Sequence, residues 1–439
     1  MGIYFCKRPE TYPEPAISYD LLCSSLTKWF GEPATFAHVI YLDNLSTSYI
    51  SEVIRWKVCA SRPKGYEYVE LVLKTYPRNK SRGLSFRSDV FFKNEIAFYE
   101  NILPALLKFH SSRATKPFNN HLRLFLSVCD GKQDSLVFAN EHIQGFESPK
   151  KKLDLKHAKL VLVTLAKFHA ISFAMKEQSC EEFERICNGI TETYYDGSNW
   201  SCYKRLWSKI WSVAKDAVEK EYPNTKYIEL INKFAVQSRF KDLVKAVNDK
   251  NNCVIQHGDC SVSNYMFKYE GEMPVDVKMM DFQQTRCASP VLDVVSVLYT
   301  NTDLLQYEEE LLKNYHETLA IEIENLGSNP NMYNWDTFIN EVCKYSYFGL
   351  AVSFENTTTT LTAEDITNRQ VALGWLTETK IRNIADIHEV ENLENKQMLD
   401  LAKNFVHCVD KARWMQEASG RSLWRSKGEG FVQQWTCSG

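Results

Sequence analysis

The most informative stretch of the chain lies between residues 254 and 264 and reads VIQHGDCSVSN. An apolar run ends just before Asp259, and Asn264 follows that aspartate by five residues. Two β-prone runs come next and flank a turn at Gly271, a pattern that predicts a hairpin. The second run ends at Asp281. The segment between the two aspartates is just long enough for a strand, a tight turn and a strand, so we expect Asp281 to lie beside Asn264.

These residue types and their spacing suit phosphoryl transfer from ATP. That reaction uses a carboxylate that accepts the proton of the attacking hydroxyl, and oxygen ligands for a Mg²⁺ ion that neutralises the phosphates. An aspartate with an asparagine five residues later is the spacing of a kinase catalytic loop. Each residue taken alone is more often a turn residue or a helix cap. Their order, their spacing and the hairpin together favour the catalytic interpretation.

A lysine and a glutamate in the first third of the chain give independent support. Lys74 lies at the end of an apolar β-prone run, and Glu95 lies on the apolar stripe of the following helix. An unpaired carboxylate on an apolar face would be costly, so Glu95 needs a cation, and Lys74 is the nearest candidate. In kinases such a pair orients the lysine onto the phosphates. A lysine at a strand edge and a glutamate at a helix rim would be the ordinary interpretation of either residue alone.

The rest of the chain divides into a β-rich part and a helical part. The β-rich part contains a first helix, two strand pairs and one helix between them; the expected ranges are 14–30, 53–59, 68–75, 88–107, 122–128 and 136–138. Beyond residue 153 the pattern is mainly helical, and residues 155–175 are apolar on nearly all sides, which indicates a buried helix. The sequence therefore predicts an α+β fold.

We expect this fold to have two lobes. The predicted divisions are an N-terminal lobe over residues 1–143, a linker over 144–152, a helical C-terminal lobe over 153–415 and a tail over 416–439. The small first lobe would hold the nucleotide with its sheet and helix. The larger second lobe would hold the catalytic loop and the acceptor pocket.

The motifs together resemble the ecdysteroid kinase-like family, which belongs to the aminoglycoside and choline kinase branch of the protein-kinase-like fold. The matching segments are KNEIAFYE (93–100), LAKFHA (165–170), HGD (257–259), NYMFKY (264–269), PVDVK (274–278), DFQ (281–283) and SPVLD (289–293). The resemblance extends from about residue 25 to residue 415. It implies a two-lobed kinase that uses ATP and Mg²⁺ to phosphorylate a hydroxyl of a small molecule, with ecdysteroids as the family's named case.

The resemblance also implies roles for individual residues. Asp259 would be the catalytic base, Asn264 and Asp281 the Mg²⁺ ligands, Lys74 the phosphate-binding lysine and Glu95 its partner.

Two further segments would contact the nucleotide. Asn140, Glu141 and His142 fall where the hinge between the lobes would hold adenine. Ser48 and Tyr49 fall in the loop expected to cover the phosphates, and that loop contains no glycine between residues 46 and 51. Because glycine lets a backbone approach phosphates closely, this departure indicates altered nucleotide affinity.

Net charge, apolar runs and cysteine spacing indicate which partners and which cellular compartment to expect. The formal net charge of −3 argues against a nucleic-acid binder. No run of 18 apolar residues occurs, since Lys167 and His169 interrupt the longest one, so we expect no membrane span. The 13 cysteines include no C-x-x-C pair, which argues against a paired-cysteine zinc site and a disulfide framework. We expect a cytoplasmic protein.

Three functions remain open at this point. The first is phosphorylation of a hydroxylated, largely apolar acceptor, such as a steroid or a foreign compound. A choline or ethanolamine kinase would need carboxylates and aromatic rings around a cationic acceptor, and the sequence does not reveal such a cluster. A non-catalytic pseudokinase scaffold is the third.

Four other conspicuous residues or pairs have structural interpretations. His169 is expected to be a satisfied core histidine and His257 to brace the catalytic loop. Asp293 is expected to tie down that loop or cap a helix. Trp207 and Trp211 are expected to be core residues, although their helix lies where this branch of the fold builds its acceptor pocket.

Overall fold

The first part of the molecule is built on one antiparallel sheet. The computed structural model describes residues 17–47, 51–76, 87–149, 152–232, 236–373, 399–400 and 402–407. The sheet has five strands in the order β1-β2-β3-β5-β4. They are β1 (Thr35–Thr47), β2 (Glu52–Arg62), β3 (Gly65–Thr75), β4 (Leu124–Val128) and β5 (Ser135–Ala139). Helix α1 (Tyr19–Phe30) packs on β1. This order places β3, the strand that carries Lys74, at the centre of the sheet.

Both predicted strand pairs are present, but the first strand of the sheet was not predicted. The β2–β3 pair turns between Arg62 and Gly65, and β4 pairs with β5. Strand β1 pairs with β2 through three register shifts. Such bulges break the two-residue alternation by which a strand is recognised in a sequence, and this explains why β1 escaped prediction.

The helix that carries Glu95 is interrupted, whereas the sequence predicted one helix over residues 88–107. It comprises α2 (Ser88–Ala97), a π-helical turn (Phe98–Ile102) and α3 (Leu103–Ser111). Pro104 lies at the start of α3 and has no N–H to donate to the preceding turn, so the regular hydrogen-bond ladder cannot run through it. The interruption ends α2 at Ala97, and α2 itself packs against the segment that follows Asp281.

The second part of the molecule is mainly helical. Its helices are α4 (Leu155–Gln178), α5 (Cys180–Asn188), α6 (Trp200–Glu221), α7 (Lys226–Asn232), α8 (Val236–Asn248), α9 (Val291–Thr300), α10 (Glu308–Asn325) and α11 (Trp335–Leu373). Helix α4 begins at Asp154, whose carboxylate accepts hydrogen bonds from the first turn. Among the described residues it is the one helix long and apolar enough to cross a membrane, but 78% of its most apolar window is buried, as in the core helix of a globular fold.

Five short strands lie where the two parts meet. They are β6 (Phe146–Glu147), β7 (Val254–Gln256), β8 (Tyr265–Glu270), β9 (Met273–Met279) and β10 (Arg286–Ala288). The predicted hairpin is present as β8 and β9, with β6 beside it, while β7 pairs with β10. Strands of two or three residues are too short to show a periodic pattern, so β6, β7 and β10 were not predicted. The loop after β7 carries Asp259, and Asp281 follows β9.

The α+β class expected from the sequence is confirmed by this arrangement. The exact division into lobes at residues 143 and 153 stays a prediction. The tail expected over residues 416–439 lies outside the described residues.

Candidate active site

The loop that carries Asp259 is fixed by a glycine packed against backbone. Gly258 adopts φ +87°, a conformation that side chains rarely allow. A Cβ atom at this position would lie 1.9 Å from the carbonyl oxygen of Gln284. Residue 258 must therefore be glycine for the loop to approach the segment after Asp281 this closely.

A buried carboxylate below the loop holds its backbone. Asp293 accepts hydrogen bonds from the amide of His257 at 2.8 Å and from the amide of Gly258 at 3.0 Å. His169 contacts the same carboxylate at 3.2 Å and the Tyr315 hydroxyl at 2.8 Å. Burial alone would raise the pKa of Asp293, but the bonds from His169 and Gly258 lower it, so this carboxylate is ionised. His169 is thus the satisfied core histidine that the sequence predicted, and Asp293 ties down the loop.

His257 braces the same loop, also as predicted. Its Nε2 lies 2.9 Å from the carbonyl oxygen of Met280, and its Nδ1 accepts the amide of Asp259 at 3.2 Å. The His257 side chain therefore connects Met280 to Asp259.

The side chains of Asp259 and Asn264 are both held in place. Ser261 donates its hydroxyl to Asp259 Oδ1 at 2.6 Å, and Gln284 donates its amide to Oδ2 at 3.3 Å. Asn264 donates its side-chain amide to the carbonyl oxygen of Asp259 at 3.0 Å, and the amide of Met280 donates to the carbonyl oxygen of Asn264 at 3.0 Å. The hairpin thus brings Asp281 next to Asn264 in the way that the sequence suggested.

Lys74, Glu95 and Asp281 form one buried ion cluster. The Lys74 Nζ atom lies 2.5 Å from Glu95 Oε2 and 2.7 Å from Asp281 Oδ1. Lys74 is 7% exposed and Glu95 1%, so neither charge is compensated by water. Burial opposes the charge of the lysine, but the Asp281 and Glu95 carboxylates outweigh it and raise the pKa of Lys74. Burial also raises the pKa of Glu95, to about 7. The lysine therefore stays charged between two carboxylates.

Asp281 is held in an uncommon backbone conformation. Its φ of +67° and ψ of +59° lie in the left-handed region, which aspartate tolerates better than most residues. Gln283 donates its side-chain amide to Asp281 Oδ2 at 3.2 Å. Between them, Phe282 stacks on Phe98 with ring centres 3.9 Å apart. The aromatic anchor and the amide together aim the Asp281 carboxylate at Lys74.

Asn94, the residue before Glu95, links helix α2 to the catalytic segments. Its amide nitrogen donates to the carbonyl oxygens of Gln283 at 3.1 Å and Thr285 at 3.0 Å. Its amide oxygen accepts from the amide of Thr191 at 3.1 Å. The position of Glu95 relative to Asp281 is thus fixed by its neighbour as well as by Lys74.

The predicted hinge residues directly follow strand β5. Asn140 donates its backbone amide to the Glu70 carbonyl oxygen at 3.1 Å and its side-chain amide to the Glu70 carboxylate at 3.1 Å. Glu141 is 2% exposed and lies 3.4 Å from Lys278 Nζ. The His142 amide donates to the Asn140 side chain at 3.3 Å. None of these contacts joins the hinge to the Lys74 cluster directly. Ser48 and Tyr49 lie outside the described residues.

A second group of polar side chains surrounds Asp259 from the opposite side. Buried Arg286 donates to Glu192 at 2.8 Å and to the Gly258 carbonyl oxygen at 3.2 Å. Tyr194 donates its hydroxyl to Glu355, a half-buried residue of α11. Burial raises the pKa of Glu355 to about 7, and the charge of Asp259 contributes to the rise, so the two carboxylates lie within electrostatic range.

A comparison with protein-family models gives one match, to the ecdysteroid kinase-like family, over residues 46–328. The match spans well over half of the chain and contains the Lys74 cluster, the hinge and the catalytic loop. The chain belongs to the ecdysteroid kinase-like family. It is therefore a small-molecule kinase with the protein-kinase-like fold, as the motifs suggested. Among curated proteins, no sequence matches this kinase.

Solved structures of similar shape include three kinases of small molecules. An ethanolamine kinase from Plasmodium vivax shares 10% identity, with 85% of this chain and 81% of that chain covered and a TM-score of 0.35. A choline kinase from Streptococcus pneumoniae shares 12% identity over 77% and 98%, with a TM-score of 0.32. An aminoglycoside phosphotransferase from Alicyclobacillus acidocaldarius shares 11% identity over 89% and 93%, with a TM-score of 0.32.

The side chains of this kinase fit a Mg²⁺ ion that is shared with phosphates. Asp281 offers a carboxylate, and Asn264 offers its amide oxygen because its amide nitrogen is bonded to Asp259. The described part of the chain contains no group of three His, Cys, Asp or Glu side chains that could hold a metal alone. Mg²⁺ typically takes one or two protein ligands and completes its shell with phosphate oxygens and water. The Asp281 carboxylate and the Asn264 amide oxygen would supply two such protein ligands.

The tryptophans of α6 lie in the core of the kinase, as expected. Trp207 is 4% and Trp211 7% exposed. Trp211 packs against Phe354 at 5.2 Å between ring centres, and Phe354 directly precedes Glu355. Helices α6 and α11 therefore present apolar rings beside the polar group that faces Asp259.

Sequence analysis missed several residues of this site, for a common reason. Gln283, Gln284, Ser261 and Arg286 lie close to the recognised motifs, but a glutamine, a serine or an arginine beside a motif is not distinctive. Glu355 is 161 residues from Tyr194, its hydrogen-bond partner, and no local pattern marks it. The one available signal was the run of polar residues directly after Asp259 and Asp281.

Proposed function

We propose that this kinase transfers the terminal phosphoryl group of ATP to a hydroxyl of a small, largely apolar acceptor, such as a steroid or a foreign compound, in the cytoplasm. The observation that carries the proposal is the buried Lys74–Glu95–Asp281 cluster together with Asp259, whose carboxylate is bonded to Ser261 and, through Ser261, linked to Asn356 of α11. The first group suits phosphates, and the second suits a hydroxyl that loses a proton.

The nucleotide would lie between the hinge and Lys74. Lys74 would hold phosphate oxygens, and Glu95 keeps its ammonium group in place. Asn264 and Asp281 would hold Mg²⁺, which when bound neutralises charge on the phosphates. At the hinge, the hydroxyl of Tyr99 is buried without a hydrogen-bond partner, and the buried Glu141 carboxylate faces the Lys278 ammonium group at 3.4 Å. The Tyr99 hydroxyl therefore offers a bond to an incoming polar ring.

Asp259 would accept the proton of the acceptor hydroxyl as the new oxygen–phosphorus bond forms. General-base assistance of this kind needs a carboxylate at hydrogen-bond distance from the hydroxyl and a fixed orientation. The bonds from Ser261 and Gln284 supply the orientation. The apolar part of the acceptor would lie along α11 beside Asp259, and the buried rings of Trp211 and Phe354 would support that helix from the core.

A specific observation also supports a cationic acceptor of the choline or ethanolamine type. The Glu355 carboxylate bonds to Tyr194 and Tyr195 and lies within electrostatic range of Asp259, so this group combines a carboxylate with aromatic rings. An ammonium group prefers such surroundings. The sequence did not reveal this cluster because its members come from distant segments.

The test is an ATP-consumption screen with Mg²⁺ across ecdysteroids, other sterols, plant phenolics, choline and ethanolamine. The proposal expects turnover with a hydroxylated apolar acceptor, and loss of that turnover in the Asp259→Asn variant. Turnover of choline or ethanolamine alone would favour the second candidate. Absence of turnover with every acceptor, together with unimpaired ATP binding, would identify a pseudokinase.

A further inference from the structure

A chain of two hydrogen bonds runs from helix α11 to the carboxylate of Asp259. Asn356 donates its side-chain amide to the Ser261 hydroxyl oxygen at 3.2 Å, and Ser261 donates its proton to Asp259 Oδ1 at 2.6 Å. An amide nitrogen can only donate, so the serine oxygen must accept that bond. The hydroxyl proton is then free to point at Asp259. The direction of each bond is thus fixed by the group at its end, the donating amide of Asn356 and the accepting carboxylate of Asp259.

A second chain reaches the other oxygen of the same carboxylate. Arg286 donates to the amide oxygen of Gln284 at 3.4 Å, and Gln284 donates its amide to Asp259 Oδ2 at 3.3 Å. Arg286 is itself fixed by Glu192 and by the Gly258 carbonyl oxygen. Both hydrogen bonds of this second path are longer than the 2.6 Å bond from Ser261 to Asp259. All of its residues lie in the catalytic loop and in the segment after Asp281.

We propose that Ser261 and Asn356 are positioning residues, which fix the rotation of the Asp259 carboxylate and connect it to the acceptor-side helix α11. The proposal rests on the proposed function, in which Asp259 accepts the acceptor's proton. Asn356 directly follows Glu355 and lies two residues after Phe354, so the residue that starts the chain is on the helix that borders the acceptor. An acceptor seated against α11 would then meet a base already aligned by the same helix.

Rotation of the base matters because a carboxylate that accepts one bond at each oxygen keeps only its remaining lone pairs for substrate. Two bonds from opposite sides allow one orientation of the carboxylate plane. Loss of the Ser261 bond leaves Gln284 as a single pivot, around which the carboxylate can turn. Misplacement of a reacting group by about 1 Å can cost up to about 100-fold in rate, without a comparable loss in binding.

The experiment compares four variants of the full chain: Ser261→Ala, Ser261→Thr, Asn356→Ala and the double variant Ser261→Ala/Asn356→Ala. Ser263→Ala is the matched control, because Ser263 is an exposed serine in the same loop. Turnover is measured with the acceptor found in the screen, or as basal ATP hydrolysis if only water serves. The readouts are kcat, KM for ATP and thermal unfolding.

The proposal expects Ser261→Ala to lower kcat by about 10–100-fold with KM for ATP nearly unchanged. Ser261→Thr keeps the hydroxyl and should restore most of the rate. Asn356→Ala should cost less, and the double variant should be no slower than Ser261→Ala, since Asn356 acts through Ser261. Ser263→Ala should behave as the parent.

Three outcomes would overturn the proposal. They are a kcat within twofold of the parent in Ser261→Ala, no recovery in Ser261→Thr, and additive losses in the double variant. Each leaves the proposed function standing, provided that the parent turns over and Asp281→Ala does not. A parent that neither binds ATP nor consumes it would overturn the proposed function, and the positioning role with it.

Discussion

The two sides of the candidate active site are built from different interactions. On the nucleotide side, Lys74 contacts two carboxylates in a nearly dry environment. On the acceptor side, Asp259 receives bonds from a hydroxyl and an amide, which are neutral. Charges attract strongly over a range of orientations, whereas neutral hydrogen bonds act only along narrow directions. The nucleotide side is therefore suited to holding charge, and the acceptor side to setting an angle.

Replacement of Asp281 should have the largest effect and tests the charged side. Asp281→Ala removes a charged oxygen from the proposed Mg²⁺ site and one of the two carboxylates beside Lys74. We expect turnover to be abolished and Mg²⁺ no longer to tighten ATP binding. Titration calorimetry of ATP with and without Mg²⁺ measures this. Asp276→Ala, on the exposed face of the neighbouring strand β9, is the control. Near-normal activity of Asp281→Ala would show that the DFQ segment (281–283) does not hold the metal of a kinase active site.

Replacement of Asp259 tests whether the rate of phosphoryl transfer can be lowered without a change in ATP affinity. Asp259→Asn keeps the size of the side chain and removes the carboxylate that is proposed to act as the base. We expect kcat to fall by about 10²–10⁴-fold while ATP affinity changes little, since general-base catalysis contributes about that much. Steady-state kinetics and calorimetry are the measurements. Asp303→Asn, an exposed change far along the chain, should leave both unaltered. A large loss of ATP affinity in Asp259→Asn would mean that the two sides are not separate.

Replacement of Lys74 should affect binding and stability together. Lys74→Ala leaves Glu95 buried without its cation, and breaking a buried pair in this way typically costs about 3–5 kcal/mol. We also expect ATP to bind about 10–100-fold more weakly, because a charged hydrogen bond to phosphate is lost. Denaturant unfolding and calorimetry measure the two effects. The control is Lys93→Ala, which changes an exposed lysine on α2, the helix that carries Glu95. Equal stability of the Lys74→Ala and Lys93→Ala variants would contradict a buried ion cluster.

The smallest expected effect concerns Glu355 and depends on pH. Its pKa is raised to about 7 in the folded protein, from an ordinary value of 4.5. Between these values the folded chain binds more protons than the unfolded chain at this position, so stability falls as pH rises through this window. Glu355→Gln cannot ionise and avoids that loss. The difference in Tm, variant minus parent, should therefore be more positive at pH 8 than at pH 5.

The exposed surface offers a control for this pH effect. Glu309 is an exposed glutamate in the first turn of α10, and its hydrogen bond with Lys313 lowers its pKa. Glu309→Gln should not gain stability relative to the parent as pH rises. If Glu355→Gln shows the same Tm difference at both pH values, the pKa of Glu355 is not raised in the folded protein.

The sequence predicted the charged side of the site far better than the neutral side. Lys74 and Glu95 are recognisable because a charge on an apolar strand or stripe breaks a pattern. Ser261, Gln284 and Asn356 break none, since polar residues in loops and on long helices are ordinary. Their roles come from contacts such as Asn356 with Ser261, which are 95 residues apart in the chain.

The fold shows the same division between regular and irregular features. Strands β2, β3, β8 and β9 have clear alternation or a clear turn and were predicted. Strand β1 is disturbed by bulges, and β7 and β10 have three residues each. The two shortest of these strands carry the catalytic loop and Arg286, so the elements that matter most for the site are the least visible in the sequence.

The three hydrogen bonds of Asn94 have a mechanical consequence. They attach α2 to the segment after Asp281 and to Thr191, all of which belong to the helical part of the molecule. By connectivity α2 lies between strands β3 and β4 of the sheet, but the side chain of Asn94 attaches it to the helical part. A motion of the sheet relative to the helical part would therefore displace β3 along α2, and it would have to separate Lys74 from both Glu95 and Asp281.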